Sequence, residues 1–304
     1  GHLRMPPLAC LQKCRVASLG MNLFLLLLLG AIWGSSYLFI KVVVAEVSVL
    51  TLVAWRLVFS SLLLWILLRI LGQPIPRSRS LWASFAVMGL LGGVLPYALI
   101  AWGELHISSG LAALLQATMP LFTVLVAHFW SRDERMTPLR AVGVIIGFVG
   151  VGVLMLPELQ QGVHATLLGQ LAVVLASICY AGTSVFARRY LRGQPPLVST
   201  MGQMTTGALV ALPLALMLER PFDLSPSLPA LASWLGLAVL GTGVAYVIFY
   251  TLIARTSATF ASMATYIVPV YGLILGALVL GEPLTGNLLI SLALILLSVL
   301  LVQR

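Results

Sequence analysis

The sequence predicts an all-α membrane protein in which ten transmembrane helices form two inverted five-helix repeats. Three observations support this prediction: an apolar composition, short polar connections between long apolar runs, and landmarks that recur 147 to 149 residues apart. Hydrophobic residues make up 61% of the 304-residue chain and charged residues only 8%, whereas about a quarter of a soluble domain is charged. A bilayer can accommodate this much apolar surface, because lipid is itself an apolar phase.

Ten apolar runs are long enough to cross a bilayer, which takes roughly 20 mostly apolar residues. The predicted spans are residues 22–44, 49–71, 81–102, 106–130, 138–156, 167–190, 197–218, 230–254, 257–280 and 284–303. We expect residues 1–20 to form an N-terminal tail that includes a remnant of cloning at Gly1-His2. The remaining predicted units are a first repeat over residues 21–156, a linker over residues 157–166 and a second repeat over residues 167–304.

The basic residues predict the orientation, because cytoplasmic loops carry the excess of Lys and Arg. If the N-terminus is cytoplasmic, 14 of the 17 basic residues fall on the cytoplasmic side, Lys41 and Arg220 fall outside, and Arg56 lies within a span. Both termini are then cytoplasmic and the linker is periplasmic, in the bacterial inner (plasma) membrane. The net charge of +9 is dispersed between spans, so it indicates topology and not nucleic-acid binding.

An internal repeat relates the two halves of the chain. The matching residues are Trp33 with Tyr180, Ser36 with Thr183, Tyr97 with Tyr246, and Pro120 with Pro269. Each half holds five spans, an odd number, so the second copy must cross the membrane in the opposite direction. Inverted repeats are typical of transporters, whose two halves meet near the midplane. Gene duplication without transport is the alternative.

Two short motifs, in this ten-span arrangement, resemble a known family. They are Trp33-Gly34-Ser35-Ser36 in the first span and Gly281-Glu282-Pro283-Leu284 before the last. Over residues 22–303 the chain is similar to the drug/metabolite transporter superfamily, EamA family, and within it to YddG-type aromatic amino-acid exporters. The resemblance implies metabolite export by alternating access through a central cavity, with spans five and ten at the seam between repeats. The first copy departs from the second motif, with Asp133-Glu134-Arg135-Met136 in an equivalent loop.

Aromatic and small polar residues within the spans predict a substrate site. The candidates are Trp33, Ser36, Tyr37, Tyr97, Gln116, Tyr180, Thr183, Tyr246 and Tyr250. Aromatic faces bind apolar and aromatic ligands and can hold cations, while hydroxyl and amide groups can orient an amino-acid head group. Helix packing is an equal alternative for each residue taken singly, but the set as a whole favours cavity lining.

Pro120 and Pro269 are predicted to interrupt the fourth and ninth spans at matching positions. Proline removes a backbone hydrogen bond and bends a helix. Each could act as a hinge or as a fixed kink.

Charged residues inside the spans are few. Arg56 could contact a substrate carboxylate or could be structural, bonding nearby carbonyls, and the sequence slightly favours the structural role. No acid lies near the middle of a span, and Glu46 and Glu104 lie near outer ends. We therefore expect no proton coupling through a carboxylate in the first span.

No enzyme motif is present, and no cofactor or metal is expected. We expect a monomer whose partners are a small-molecule substrate, an aromatic amino acid or similar metabolite, and the lipid bilayer. Two other functions remain open: efflux of drugs or cationic compounds in the same fold, and a membrane-embedded enzyme. An enzyme would need a Ser–His or carboxylate pair at one depth, and the sequence offers none.

Overall fold

Ten membrane-spanning segments make up nearly all of the structure. The computed structural model describes residues 8–130, 136–160, 162, 164–222, 224–256 and 258–303, with only the backbone for residues 8–19, 250, 253, 254, 258 and 259. We label the segments α1 (Leu8–Val44), α2 (Val49–Ile70), α3 (Arg79–Glu104), α4 (Ser109–Trp130), α5 (Pro138–Gln160), α6 (Ala165–Tyr190), α7 (Pro196–Leu218), α8 (228–255), α9 (258–280) and α10 (Gly286–Val302).

The prediction of an all-α membrane protein is confirmed. Among the described residues, nine segments are long and apolar enough to cross a membrane, and α10 adds a shorter apolar helix of 17 residues. Apart from the start of α1, their ends differ from the predicted ends by a few residues. The helix α1 starts at Leu8, inside the expected tail, and α5 continues to Gln160, into the expected linker. A helix can continue past the apolar core, because its backbone bonds are satisfied along its own length.

Four interruptions break the regular helical backbone. The segments α3 and α8 each contain a π-helical stretch, Leu90–Val94 and Val239–Val244. The segment α4 consists of Ser109–Gln116 and Met119–Trp130, and α9 consists of Ala258–Ser262 and Ala264–Leu280. The spans predicted over residues 106–130 and 257–280 are therefore each divided into two helices.

The two prolines that the sequence placed at matching positions lie in different local structures. Pro120 is the second residue of Met119–Trp130, where a missing N–H costs nothing because the first turn has no partner for it. Pro269 lies inside Ala264–Leu280, where the helix runs on through it. The break of α9 falls at Met263, before the proline.

The two halves of the chain interleave. The segment α2 packs on α7, α1 packs on α9, and α5 packs on α10, so each of these pairs joins a helix of one half to a helix of the other. Gly143, Gly147 and Gly150 of α5 are buried, and a Cβ atom on any of them would press against α10. Small residues let helix backbones approach closely in a membrane. This seam agrees with the one that the family resemblance implied.

Replacing Gly143 by Val should destabilise this seam. A Cβ atom there would lie 2.9 Å from Leu301 Cβ and 3.0 Å from the Ser298 carbonyl oxygen, and such overpacking costs about 1–3 kcal/mol. Gly152→Val is the matched control, because Gly152 is exposed on the same helix with no atom within 4 Å of its Cβ position. In detergent, the purified Gly143→Val variant should melt at a clearly lower temperature than the Gly152→Val variant. Equal values would contradict the close approach.

Candidate substrate cavity

A cavity of about 1370 Å³ lies between the two halves of the bundle. Eight of the nine predicted site residues line it: Trp33, Ser36, Tyr37, Tyr97, Gln116, Tyr180, Thr183 and Tyr246. The side chain of the ninth, Tyr250, lies outside the described residues. The structure thus brings together residues from α1, α3, α4, α6 and α8 that the sequence proposed as one set. Their role in binding stays a prediction.

Two aromatic pairs connect the halves across the cavity. The rings of Tyr97 and Tyr180 have centroids 6.5 Å apart at 63°, and those of Trp33 and Tyr246 are 6.3 Å apart at 74°. Both are edge-to-face contacts, a favourable geometry for aromatic rings. In the repeat, Trp33 corresponds to Tyr180 and Tyr246 corresponds to Tyr97. The Trp33–Tyr246 pair is therefore the repeat equivalent of the Tyr180–Tyr97 pair.

The π-helical stretches present glycines to the cavity. Gly92 of α3 and Gly241 of α8 both line it. A Cβ atom on Gly92 would lie 2.6 Å from Thr183 Cγ2, and one on Gly241 would lie 3.0 Å from Ser36 Oγ. The Gln203 side-chain amide donates to the Gly92 carbonyl oxygen at 2.8 Å, which satisfies an acceptor where the helix departs from α geometry. No motif in the sequence indicates the π geometry.

Arg56 lies at the inner limit of the cavity. It is 7% exposed, and its Cζ atom lies 3.9 Å from the ring centroid of Tyr97. Its Nε atom has no hydrogen-bond partner, and the ion pair found among the described residues joins two other groups, His164 and Glu158. Arg56 is thus a buried cation with a cation–π contact, and among the described residues it forms no ion pair with a carboxylate. The sequence left its role open and did not include it in the predicted site.

Exposed arginines line the mouth of the cavity. Arg188, Arg189 and Arg192 stand where α6 ends, and we call this side of the bundle the arginine end. No Asp or Glu is among the described residues that line the cavity. From the sequence alone, these arginines were interpreted only as topology signals.

Carboxylates close the opposite side, which we call the glutamate end. Glu219 accepts hydrogen bonds from the backbone N–H groups of Leu50 and Thr51 at 3.1 and 2.7 Å and from the hydroxyls of Ser48 and Thr51. These groups form the N-terminus of α2, where the helix dipole favours a negative charge. The contact joins the second half of the chain to the first.

Two further glutamates make the same kind of contact. Glu282 accepts from the N–H groups of Ser109 and Gly110 at 2.7 and 3.0 Å, at the N-terminus of α4. Glu46 accepts from the N–H and hydroxyl of Ser227 at 2.6 Å, at the N-terminus of α8. The motif around Glu282 was interpreted as a loop, but its carboxylate bridges the two halves.

Glu104, the last residue of α3, is buried in a way the sequence did not reveal. The sequence placed it near the outer end of a span, but its side chain is 0% exposed, and neither carboxyl oxygen has a hydrogen-bond partner. Burial follows from close packing, because Gly103 beside it lies against Gly169 and Val173 of α6.

Comparisons with known proteins agree with this architecture. A family model described as the EamA-like transporter family matches residues 20–156 and again residues 167–304. A solved crystal structure superposes with a TM-score of 0.64 at 18% sequence identity, over 93% of this chain and 96% of the other, which shows a shared fold.

Three similar proteins are named as transporters. The uncharacterized transporter YoaV of Bacillus subtilis is 26% identical over 87% of this chain and 90% of its own length. A probable terminal-alkyne amino-acid exporter of Streptantibioticus cattleyicolor is 30% identical over 90% of each chain. The uncharacterized inner membrane transporter YedA of Escherichia coli is 27% identical over 89% of this chain and 87% of its own.

The contact of Glu219 predicts a pH-dependent loss of stability. Partial burial raises the pKa of this carboxyl, but the hydrogen bonds from Ser48, Thr51 and Leu50 together lower it below its ordinary value of 4.5. A lowered folded-state pKa contributes stability above the ordinary pKa, and that stability is lost as the pH falls through the lowered value. Glu219→Gln should therefore melt below wild type at pH 7, and the difference should shrink in acid.

Melting temperatures in detergent at pH 7 and at about pH 3.5, below the ordinary pKa, would check this prediction. Glu158→Gln is the control at the same end, because Glu158 contacts the His164 side chain and, among the described residues, accepts from no backbone N–H group of a helix N-terminus. A deficit for Glu219→Gln that is equal at both pH values would contradict the hydrogen-bonded carboxylate.

Proposed function

Because this chain belongs to the EamA-like transporter family, we propose that it exports small metabolites that carry a carboxylate and an apolar or aromatic body, aromatic and hydrophobic amino acids foremost. The chain is a multi-pass membrane transporter and not an enzyme. The proposal concerns its substrate, its direction and its mechanism. A similar protein is named a probable terminal-alkyne amino-acid exporter, which supports a substrate of this size and chemistry.

The observation that carries the proposal is Arg56. A buried cation without an ion-pair partner is costly, and Arg56 forms none among the described residues. It lines a cavity large enough for a metabolite. A substrate carboxylate would supply the missing charge in a bidentate contact, the geometry that a guanidinium favours. Tyr97 orients the guanidinium through the cation–π contact. Arg56 is therefore proposed as the carboxylate anchor.

The remaining lining residues suit the rest of such a substrate. Trp33, Tyr180 and Tyr246 offer aromatic faces for an apolar body. The Gln116 side-chain oxygen is buried without a partner and lines the same cavity, so it can accept a hydrogen bond from a substrate ammonium group. Tyrosine faces can also hold that cation.

The charge distribution supports an orientation with the arginine end in the cytoplasm. Both termini would then be cytoplasmic, with residues 157–166 on the periplasmic side. The cavity opens between Arg188, Arg189 and Arg192, so substrate would enter from the cytoplasm. The glutamate end would open next, as the two inverted repeats exchange shapes. The break next to Pro120 and the helical turn at Pro269 are the proposed hinges, within a monomer.

Efflux of cationic compounds is the second candidate, and the cavity argues against it. The described lining holds four arginines and no acidic residue. A cation would therefore meet repulsion at the mouth and again at Arg56. An anionic or zwitterionic molecule would meet attraction at both places.

A flux assay with Arg56→Gln tests the carboxylate anchor. Purified protein in liposomes should carry radiolabelled phenylalanine or leucine faster than empty liposomes do. Arg56→Gln should slow this flux at least about tenfold, because it removes hydrogen bonds between a charged group and the substrate carboxylate. Phenylethylamine, which lacks the carboxylate, should neither be carried well by wild type nor compete with phenylalanine.

Arg69→Gln is the matched control, because Arg69 is exposed on the same helix and does not line the cavity. It should transport like wild type. Flux that is equal in Arg56→Gln and Arg69→Gln would remove Arg56 from the site. Flux no faster than that of empty liposomes across a broad panel of carboxylates would refute the export of such metabolites.

Gly92→Ala should narrow the cavity and change the substrate preference. The new methyl group would meet Thr183 Cγ2 at 2.6 Å and Gln203 Nε2 at 2.9 Å, so these side chains must shift. Tryptophan flux should then fall roughly tenfold relative to alanine flux, the effect of one methyl group in a close-fitting pocket. Gly93→Ala is the control, since its Cβ would make an ordinary contact of 3.6 Å with Leu57. An unchanged tryptophan-to-alanine ratio in Gly92→Ala would contradict the prediction.

A further inference from the structure

Glu104 is a buried carboxyl group that the proposed transport path does not use. It lies one helical turn beyond Ile100, which lines the closed end of the cavity, but Glu104 itself does not line it. Its side chain is 0% exposed and both oxygens lack a hydrogen-bond partner. The other three glutamates that bridge the halves are each held by N–H donors. Unlike these three glutamates, Glu104 thus has no hydrogen-bond donor among the described residues that would stabilise a negative charge.

The charged groups around Glu104 are already engaged elsewhere. The Lys41 ammonium of α1 donates to the backbone carbonyls of Glu104 and Ile107 and makes no ion pair with the Glu104 carboxyl. The Glu282 carboxylate, from the connection between α9 and α10, is bound to the N-terminus of α4. Arg56 of α2 lies over the Tyr97 ring, and the Tyr37 phenol of α1 is a further titratable neighbour. The His106 imidazole, two residues after Glu104, packs edge-to-face on Trp102. The helix α6 meets this part of α3 with Gly169 and Val173.

Two physical effects oppose a negative charge at this place. An ionised carboxylate without donors is strongly disfavoured inside a protein. Glu104 is also the last residue of its helix, where the helix dipole presents its negative end. The Lys41 ammonium donates to the carbonyls of that terminus. Lys41 and Arg56 attract a negative charge on the Glu104 side chain, but neither forms an ion pair with it, and the cost of burial is the larger effect. The neutral acid is the form that fits this environment.

We propose that Glu104 is a proton-binding site that keeps the glutamate end closed: it is protonated while this end is shut and releases its proton to the outer solution when this end opens. The inference rests on the proposed function for its two states. One proton leaves the Glu104 carboxyl, as the O–H bond breaks, for each opening, and one returns from the same solution at each closing. Because Glu104 does not reach the cavity, no proton crosses the membrane.

The sign of the effect follows from this proton balance. The closed state binds one proton more than the open state above about pH 4.3, the ordinary value for an exposed Glu. Acid therefore favours closure, and the ratio of open to closed protein rises by up to about tenfold per pH unit on the outer side. This is gating by outer pH, and it differs from a carboxylate in the first span that exchanges a proton for a cation.

Spin labels on two exposed residues would measure opening directly. Leu105 follows α3 and Leu284 precedes α10; they belong to opposite halves, and both are exposed. Distances between labels at Leu105→Cys and Leu284→Cys, with the three native cysteines replaced, would be measured in liposomes from pH 5 to pH 8. The long-distance population should grow with pH in the wild-type background. In Glu104→Gln it should stay small and independent of pH.

His164→Gln and His106→Gln control for the two histidines at this end. Hydrogen bonds to the Gly162 carbonyl and to the Glu158 carboxylate raise the pKa of His164. Both variants should keep the full pH dependence of the wild-type distances. Loss of the dependence in either histidine variant together with its persistence in Glu104→Gln would overturn the proposal.

The folded state provides a second test. Gln imitates the neutral acid, so Glu104→Gln should melt at or above the wild-type temperature at pH 8. A variant that fails to fold, or melts well below wild type, would show an ionised structural carboxylate and overturn the proposal. Glu104→Asp keeps the titratable group and should restore a pH-dependent distance. The distance readout is independent of the substrate, so absence of amino-acid flux would refute the proposed function and leave this test intact.

Discussion

The polar groups of the backbone constrain this fold more than any side chain does. Inside a bilayer no water is present to satisfy a free N–H or C=O group, so irregular backbone is tolerated only where it is buried in protein or faces a water-filled space. The four interruptions of the helices obey this rule. Gly92 and Gly241 from the π stretches, Ala117 from the break of α4 and Ser262 from the break of α9 all line the cavity. The cavity is thus the place where the bundle can depart from regular helices.

The repeat explains why part of the site could be predicted from sequence. Trp33, Tyr97, Tyr180 and Tyr246 recur at matching places in the two halves, and a cavity between related halves must receive matching residues from both. The structure pairs them across the halves, Tyr97 with Tyr180 and Trp33 with Tyr246. The sequence identified the set but not the pairing, because the register of two interleaved helices depends on contacts far apart in the chain.

The other features of the site could not be predicted, because in a membrane the pattern of apolar residues does not distinguish buried from exposed positions. A lipid-facing position is as apolar as a buried one, so hydrophobic period does not reveal which side of a helix faces the protein. Gly143 is buried and Gly152 is exposed on the same helix, although both belong to one glycine run. The same ambiguity hid Glu104, whose burial depends on packing between α3 and α6, and it hid Arg56, whose surroundings are set by Tyr97 from another helix.

The placement of charge joins fold to function. Helices that begin at the glutamate end turn their positive dipole ends there, and Glu46, Glu219 and Glu282 neutralise three of them. The same helices end near basic residues at the opposite side, such as Arg69 and Arg255, where cations meet negative dipole ends. Arg56 and Glu104 follow neither rule: one is a cation in mid-helix, and the other is an acid at a helix C-terminus. Charges placed against the local field destabilise the state that holds them unless a ligand or a proton compensates. A cycle that binds an anion at Arg56 and removes a proton from Glu104 would therefore change the stability of the closed state at both places, which is what a two-state transporter requires.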